Sequence, residues 1–350
     1  MKLTNRFSLI PVLAMLILCE ILQAQYSQKP RIIITTDINN VGGDPDDKQS
    51  MAHLFMYANE VEIVAIIPDY WNGKGIEATN EAIDAYERDY FNNDYTFQEQ
   101  GYPSPNKIRS LVAQSLDQAK ETIFIEARKL DQRPLYVLVW GGMTVIKEVL
   151  MEAPKISEKI RVLSIATHIM ARNPNNKENA EVDHSCKKIN WNGRGRNSIF
   201  NDKRFKNIWW IENDWAYNGM FMGPQPREFL KEIKNNGNLG YFIWEVVQPH
   251  SWAHYFRVGD TPTLLYLLET IDHDDPSQFS WGGKFVRPFP EQHPNYWIDD
   301  AGTKDWDYHD PCNSWALADS VYKYRIKCLM DNREEMYEAF RSKMKGLYNK

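Results

Sequence analysis

The chain has 350 residues, a net charge of −6 and 13% aromatic side chains. The charge is spread along the chain without a basic tract, which speaks against a nucleic-acid surface, since a phosphate backbone would meet a mildly acidic protein. The length fits one α/β domain with insertions.

The first residues read as a leader rather than as part of a fold. Lys2 and Arg6 make a basic start, an apolar run follows from Phe7 to Leu18, and the small Ala24 comes soon after. That is the form of a secretory signal peptide over residues 1–24, with a mature start near Gln25. The run is short for a membrane span, which needs about 20 apolar residues. A lipoprotein signal ending at Cys19 is the less favoured alternative, because Leu18 before it is not small. No later stretch is apolar enough to span a bilayer. The mature protein is therefore expected in a periplasm or outside the cell, with no membrane partner.

Arg31 to Thr36 is a β-branched run that predicts a buried strand. A polar loop with glycines follows, and Asp46 and Asp47 open a helix to about Ala58, with Met51, Leu54, Phe55 and Ala58 on one face. Val61 to Ile67 predicts a second strand, and Ile76 to Tyr90 a helix. Asn106 to Asp131 reads as largely helical. Leu135 to Trp140 is a third strand, ending in Gly141-Gly142 before a helix from Thr144 to Ala153. Arg161 to Ile165 is a fourth strand. Strand, turn and helix repeated in this way predict an open, mostly parallel sheet with helices on both faces.

The pattern stops between Ala171 and Asn201, a polar segment long enough to suggest a functional loop. Ile208 to Ile211 resumes as a strand, Pro226 to Lys234 as a helix, and Phe242 to Val247 as a further strand. Pro262 opens a helix to Leu268 and stands well in its first turn. Asp272 to Thr303 reads as a polar loop, in which Asp272-His273-Asp274-Asp275 is a solvated turn. Helix from Ser314 to Lys345, broken near Asp331, closes the chain. One domain over residues 25–350 is the expected organisation. Of the mature cysteines, Cys186, Cys312 and Cys328, an odd number leaves at least one free or pairing between chains; a Cys312–Cys328 bridge and three separate thiols both fit.

The carboxylates carry the chemistry. Asp37 ends the first strand, and Asp44, Asp46 and Asp47 follow before the next helix. In a parallel sheet this is the edge where ligands bind. Carboxylates packed together repel one another unless a cation is present, and hard oxygen donors suit calcium or magnesium. The plain alternative is a solvated acidic loop with helix-capping aspartates.

Taken together, the run ending in Asp37 and the Asp46-Asp47 pair resemble the N-terminal signature of nucleoside hydrolases, with a loop longer by about five residues than that family's. Val137 to Thr144 resembles the family's strand and glycine turn, and Gly259-Asp260-Thr261-Pro262 its C-terminal metal segment. Asp-Pro-Asp-Asp-Lys, Val-Trp-Gly-Gly, Gly-Asp-Thr-Pro and Trp281-Gly-Gly-Lys-Phe are similar to the nucleoside-hydrolase-like domain of secreted bacterial cellulose-binding proteins, over roughly Arg31 to Phe285.

The resemblance implies a Ca2+ ion held by Asp37, Asp47, Asp260 and the carbonyl of Trp140. Asp37 would also take the proton of the attacking water, and Asp46, Asn72, Glu212 and Asn213 would touch the sugar. It implies hydrolysis of an N-glycosyl bond of nucleoside type. The family's leaving-group histidine is replaced here by Gly259. His250, His254 and Arg257 upstream, and His184 in the polar segment, are each more simply structural or surface residues. A carbohydrate-binding protein without turnover, and a hydrolase of O-linked sugars, remain as alternatives. The expected partner is a small nucleoside or carbohydrate, and homo-oligomer formation is left open.

Overall fold

The structure is a computed structural model that describes residues 29–42, 45–69, 71–167, 194–214, 216–269, 271–309 and 315–348. The expected signal peptide, Asp44, His184, Cys186 and Cys312 lie outside the described residues. Among the described residues, no helix is long and apolar enough to cross a membrane.

Seven strands form one sheet: β1 (Arg31–Thr36), β2 (Glu62–Pro68), β3 (Leu135–Trp140), β4 (Ile160–Ile165), β5 (Trp209–Asn213), β6 (Phe285–Val286) and β7 (Tyr296–Asp299). Their order is β2-β1-β3-β4-β5-β7-β6, and among the described residues only β6 runs antiparallel to its neighbour. The predicted open parallel architecture is what the chain adopts.

Alternation within the strands explains why both faces are covered. In β3, Tyr136, Leu138 and Trp140 pack into one core cluster, while Leu135, Val137 and Val139 pack into the other. Such a strand must be apolar throughout, as parallel strands buried on both sides are. The first face is covered by α1 (Asp46–Met56), α2 (Lys74–Tyr90), α7 (Gln225–Ile233), α8 (Gly237–Glu245) and α9 (Pro262–Leu268). The second carries α4 (Leu116–Arg128), α5 (Thr144–Glu152) and the short α6 (Arg196–Phe200). The two C-terminal helices, α10 (Trp315–Met330) and α11 (Arg333–Tyr348), break near Asp331 as expected, and Leu329, Tyr337, Phe340 and Leu347 join the first core.

The sequence reading needs correction in three places. Phe242 to Val247 is not a strand. Leu239, Phe242 and Ile243 fall on one helical face, and the carboxylate of Asp89 accepts from the Asn238 and Leu239 backbone N–H groups, closing the start of α8. The single helix expected over 106–131 is two, α3 (Pro105–Ser110) and α4, because Ser115 opens the second by accepting from Gln118 N. Between them, Val112 pairs in parallel with Ile66 and extends the sheet edge. The expected polar loop 272–303 contains β6 and β7, strands of 2 and 4 residues, too short to show a period.

Candidate metal centre

The carboxyl ends of β1 and β3 meet the start of α1 and the turn before α9. Ligand oxygens of Asp46, Asp47 and Asp260 lie within 4.8 Å of one another. Asp46 and Asp47 are half-buried and Asp260 is buried. The Asp47 carboxyl is pushed well above the usual carboxylate range, first by burial, then by the charges of Asp260, Asp37 and Asp46, while a hydrogen bond from Thr36 acts the other way. That bond, from Thr36 Oγ1 to Asp47 Oδ1, is 2.5 Å long, and the same hydroxyl accepts from Ile38 N at 3.1 Å. The last residue of β1 thus fixes the second residue of α1. The donor set is all oxygen and carries more negative charge than a buried site tolerates alone, which is the chemistry that fits Ca2+ or Mg2+.

Asp37, at the end of β1, is not among the three residues whose ligand oxygens converge, where Asp46 stands instead, but its charge acts on Asp47. A side chain on Gly141 would meet Asp37 Oδ1 and N at 3.0 Å, so the glycine after β3 lets the Asp37 backbone and carboxylate lie against it. Trp140 is fully buried at the end of β3, opposite Thr36. Its indole N–H donates to Thr263 Oγ1 at 2.8 Å, and that hydroxyl donates to Asp260 O at 2.9 Å. Trp140 therefore ties the sheet to the turn that carries Asp260.

A second tie comes from α1. Gln49 Nε2 donates to Ile243 O at 2.7 Å and to Tyr255 O at 3.1 Å, while its Oε1 accepts from Arg257 N at 2.6 Å. One turn on, His53 Nδ1 pairs with Thr261 Oγ1 at 3.2 Å. Because that hydroxyl donates to Val258 O, the imidazole N–H is the donor. Burial holds the His53 pKa down at about 3, so the ring is neutral. Gln49 and His53, four residues apart on one helical face, clamp the segment that presents Asp260.

Other candidates fall differently. Asn213, at the end of β5, donates to Gly282 O at 2.6 Å, and its buried Oδ1 has no hydrogen-bond partner. Asn72 is exposed beyond β2, and its Oδ1 accepts from Lys74 N at the start of α2. Glu212 departs from the sequence reading as a sugar contact. Its Oε1 accepts from Thr167 at 2.5 Å and Arg196 Nε at 3.1 Å, and its Oε2 from Arg196 Nη2 at 2.9 Å and from Tyr296. With both oxygens taken and no exposure, it is the buried counter-ion of Arg196. Asp272 accepts from Asp274 N, a turn as expected.

Sequence reasoning missed Asp69. Thr36 pairs with Pro68, so Asp69 follows Asp37 across the strand edge, and its N–H donates to Thr36 O at 2.9 Å. Burial, reinforced by Asp37 and opposed by Arg194, pushes Asp69 up to about 7. Its place directly after an apolar strand was the available signal.

Residues 31–285 match the family model described as "Cellulose-binding Sde182, nucleoside hydrolase-like domain". Among solved structures, the chain resembles a nucleoside hydrolase-related protein from Saccharophagus degradans associated with carbohydrate metabolism, at 19% identity and a TM-score of 0.55, covering 87% of this chain and 72% of that one. It also resembles an inosine-guanosine nucleoside hydrolase at 14% identity and a TM-score of 0.49 (88% and 99% covered). A third likeness is to the inosine-uridine preferring nucleoside hydrolase of Bacillus anthracis, at 17% identity and a TM-score of 0.45 (85% and 99% covered). At such identities the structural likeness speaks to fold alone. No curated protein matches the chain.

Proposed function

The chain belongs to the cellulose-binding Sde182 nucleoside hydrolase-like family, and from that premise we propose that it is an exported, calcium-dependent hydrolase of N-glycosyl bonds. The observation that carries this reading is the convergence of Asp46, Asp47 and Asp260 within 4.8 Å, beside Asp37. Bound calcium supplies a fixed positive charge that holds a water and the sugar hydroxyls together. Asp47, Asp260, Asp37 and the Trp140 carbonyl are the proposed ligands.

Asp37 accepts the proton of the attacking water, the water oxygen bonds to the sugar carbon, and the carbon–nitrogen bond breaks with its electron pair passing to the leaving nitrogen, which takes a proton from solvent. Asp46 accepts a hydrogen bond from a sugar hydroxyl. Asn213, at the end of β5, is proposed as a further sugar contact. Asn72, in the loop after β2, is a further proposed sugar contact. The basic start and apolar run of residues 1–24 support export.

A second reading, carbohydrate binding without turnover, is favoured by one feature. Gly259 stands where nucleoside hydrolases are expected to carry the acid, and Asp46 Oδ2 lies 2.9 Å from where its side chain would begin. Calorimetric titration of calcium into the metal-stripped mature protein and into Asp47→Ala tests the centre. Binding lost in the variant supports it, and no binding to the intact protein sinks it. Release of free ribose from inosine or uridine then decides between turnover and binding.

A further inference from the structure

Asparagine followed by glycine is a reactive pair. The glycine nitrogen can attack the asparagine side-chain carbonyl carbon, because no side chain on the glycine shields it and its backbone turns freely. The attack needs the backbone between the two residues to rotate, so a pair held in a packed or hydrogen-bonded segment is protected by the fold. The pair occurs at Asn72-Gly73, Asn192-Gly193, Asn218-Gly219 and Asn236-Gly237. Asn192 and Gly193 lie outside the described residues.

Two of the other pairs are held fast. Asn218 O accepts from Phe221 N at 3.2 Å and Met222 N at 3.1 Å, and Gly219 O accepts from Arg333 Nη1. Gly219 is buried so close to Leu329 that a Cβ there would meet that side chain at 2.8 Å. Asn236 Nδ2, the group that would have to leave, donates to Glu232 O at 2.9 Å and Ile233 O at 3.3 Å. Gly237 opens α8 against Asp89 and Tyr348, where a Cβ would lie 2.2 Å from the Tyr348 ring.

Asn72-Gly73 differs on each count. Both residues are exposed, and a Cβ on Gly73 would meet nothing within 4 Å. Among the described residues, neither the Gly73 N–H nor Asn72 Nδ2 donates a hydrogen bond. Lys74 N donates to Asn72 Oδ1 at 3.0 Å, which folds the side chain back over its own backbone. That bond draws Asn72 Cγ toward the Gly73 nitrogen and polarises the carbonyl for attack.

We infer that Asn72 is a site of spontaneous modification, a position where the fold leaves deamidation open. The Gly73 nitrogen gives its proton to solvent and bonds to Asn72 Cγ. The Cγ–Nδ2 bond breaks, and the nitrogen leaves as ammonia with a proton taken from water. Water then opens the cyclic imide. Opening at Cγ restores the main chain with an aspartyl residue, and opening at the main-chain carbon routes the chain through the side chain as an isoaspartyl residue. Either way a carboxylate appears just before α2, where the helix dipole favours negative charge. The amide donor of a proposed sugar contact is lost; in that respect alone the consequence rests on the hydrolase reading above.

The test is peptide mapping by mass spectrometry of the full mature chain, held folded in mildly alkaline buffer and, in parallel, unfolded in urea. Fragment spectra place each amide-to-acid conversion at position 72, 218 or 236 and need no activity or bound metal. In the folded protein, conversion at 72 should run at least about tenfold faster than at 218 or 236, since those pairs must first give up hydrogen bonds and packing. In urea the rates at the three positions should draw together. Conversion at 218 or 236 as fast as at 72 in the folded protein overturns the inference, as does an unreacted Asn72 when the unfolded chain converts. Release of ribose that declines in step with conversion would tie the modified position to the sugar site; conversion in a protein that releases no ribose would uphold the modification while removing the hydrolase reading.

Discussion

Gly259 has no room for a side chain as the site stands, because Asp46 Oδ2 lies 2.9 Å from where its Cβ would be and the Tyr217 ring 3.6 Å away. The glycine at 259 lets Asp46 come in beside Asp260. Gly259→Ala should push the Asp46 carboxylate out while leaving the core intact. Because the Asp46 carboxylate lies within 4.8 Å of the ligand oxygens of Asp47 and Asp260 and adds its negative charge there, we expect calcium affinity to fall roughly tenfold, equivalent to about 1.4 kcal/mol, with the melting temperature of the metal-free protein nearly unchanged. Calorimetry and thermal melts of the same variant check both halves.

Removing the cation should make stability depend on pH in a defined direction. Asp47 and Asp69 both hold protons more tightly folded than unfolded, mainly because burial disfavours their charge. The folded state therefore binds more protons, and stability falls as pH rises from the unfolded value, about 3.9, through the folded one. For Asp69 that window closes at about 7. In chelator, the protein should melt higher at pH 5 than at pH 7.5, and Asp69→Asn should flatten the difference. A melting temperature that rises with pH in chelator would contradict this.

The Arg196–Glu212 pair is sealed in the protein, so losing one partner strands the other. Arg196→Met should destabilise by about 3–5 kcal/mol. Arg196→Met combined with Glu212→Gln should recover part of that loss. Urea unfolding of the two single variants and the double variant gives the coupling directly, and additive effects would deny it.

Gln49 reaches three backbone groups of other segments. Gln49→Leu leaves them buried without a partner, at about 1–3 kcal/mol each. The Asp260 segment should loosen as well as the fold, so calcium affinity should drop although no ligand has changed. Hydrogen exchange at residues 255–261 should rise in the variant, and unchanged exchange there would refute the clamp.

The frame of the molecule was legible because it is written in periodicity. Five apolar runs became β1 to β5, and the Asp46-Asp47 pair opened a helix as expected. What was missed depends on partners distant in the chain. Phe242 to Val247 reads as a strand until Asp89 is seen holding the first N–H groups of α8. β7 is four residues long and is recognisable only beside β5. The acidic cluster could be assembled from strand ends, but Glu212 and Asn213, adjacent in sequence, point to different uses: one is enclosed by Arg196, and the other keeps an oxygen unpartnered. Alternation along a strand separates such neighbours, and sequence alone does not say which face holds an arginine.

The link between His53 and Thr261 spans 208 positions of the chain. Until synthesis and threading reach that turn, the helix bearing Asp46 and Asp47 has no partner for its clamp face, and the carboxylates at its start remain open to water. Closing so long a loop is slow relative to forming the local strand and helix pairs. The acidic centre is accordingly expected to be completed only once the 255–261 segment docks. An intermediate with the sheet in place but the 255–261 segment undocked would keep its calcium ligands apart, so metal uptake should report the completion of folding rather than its beginning.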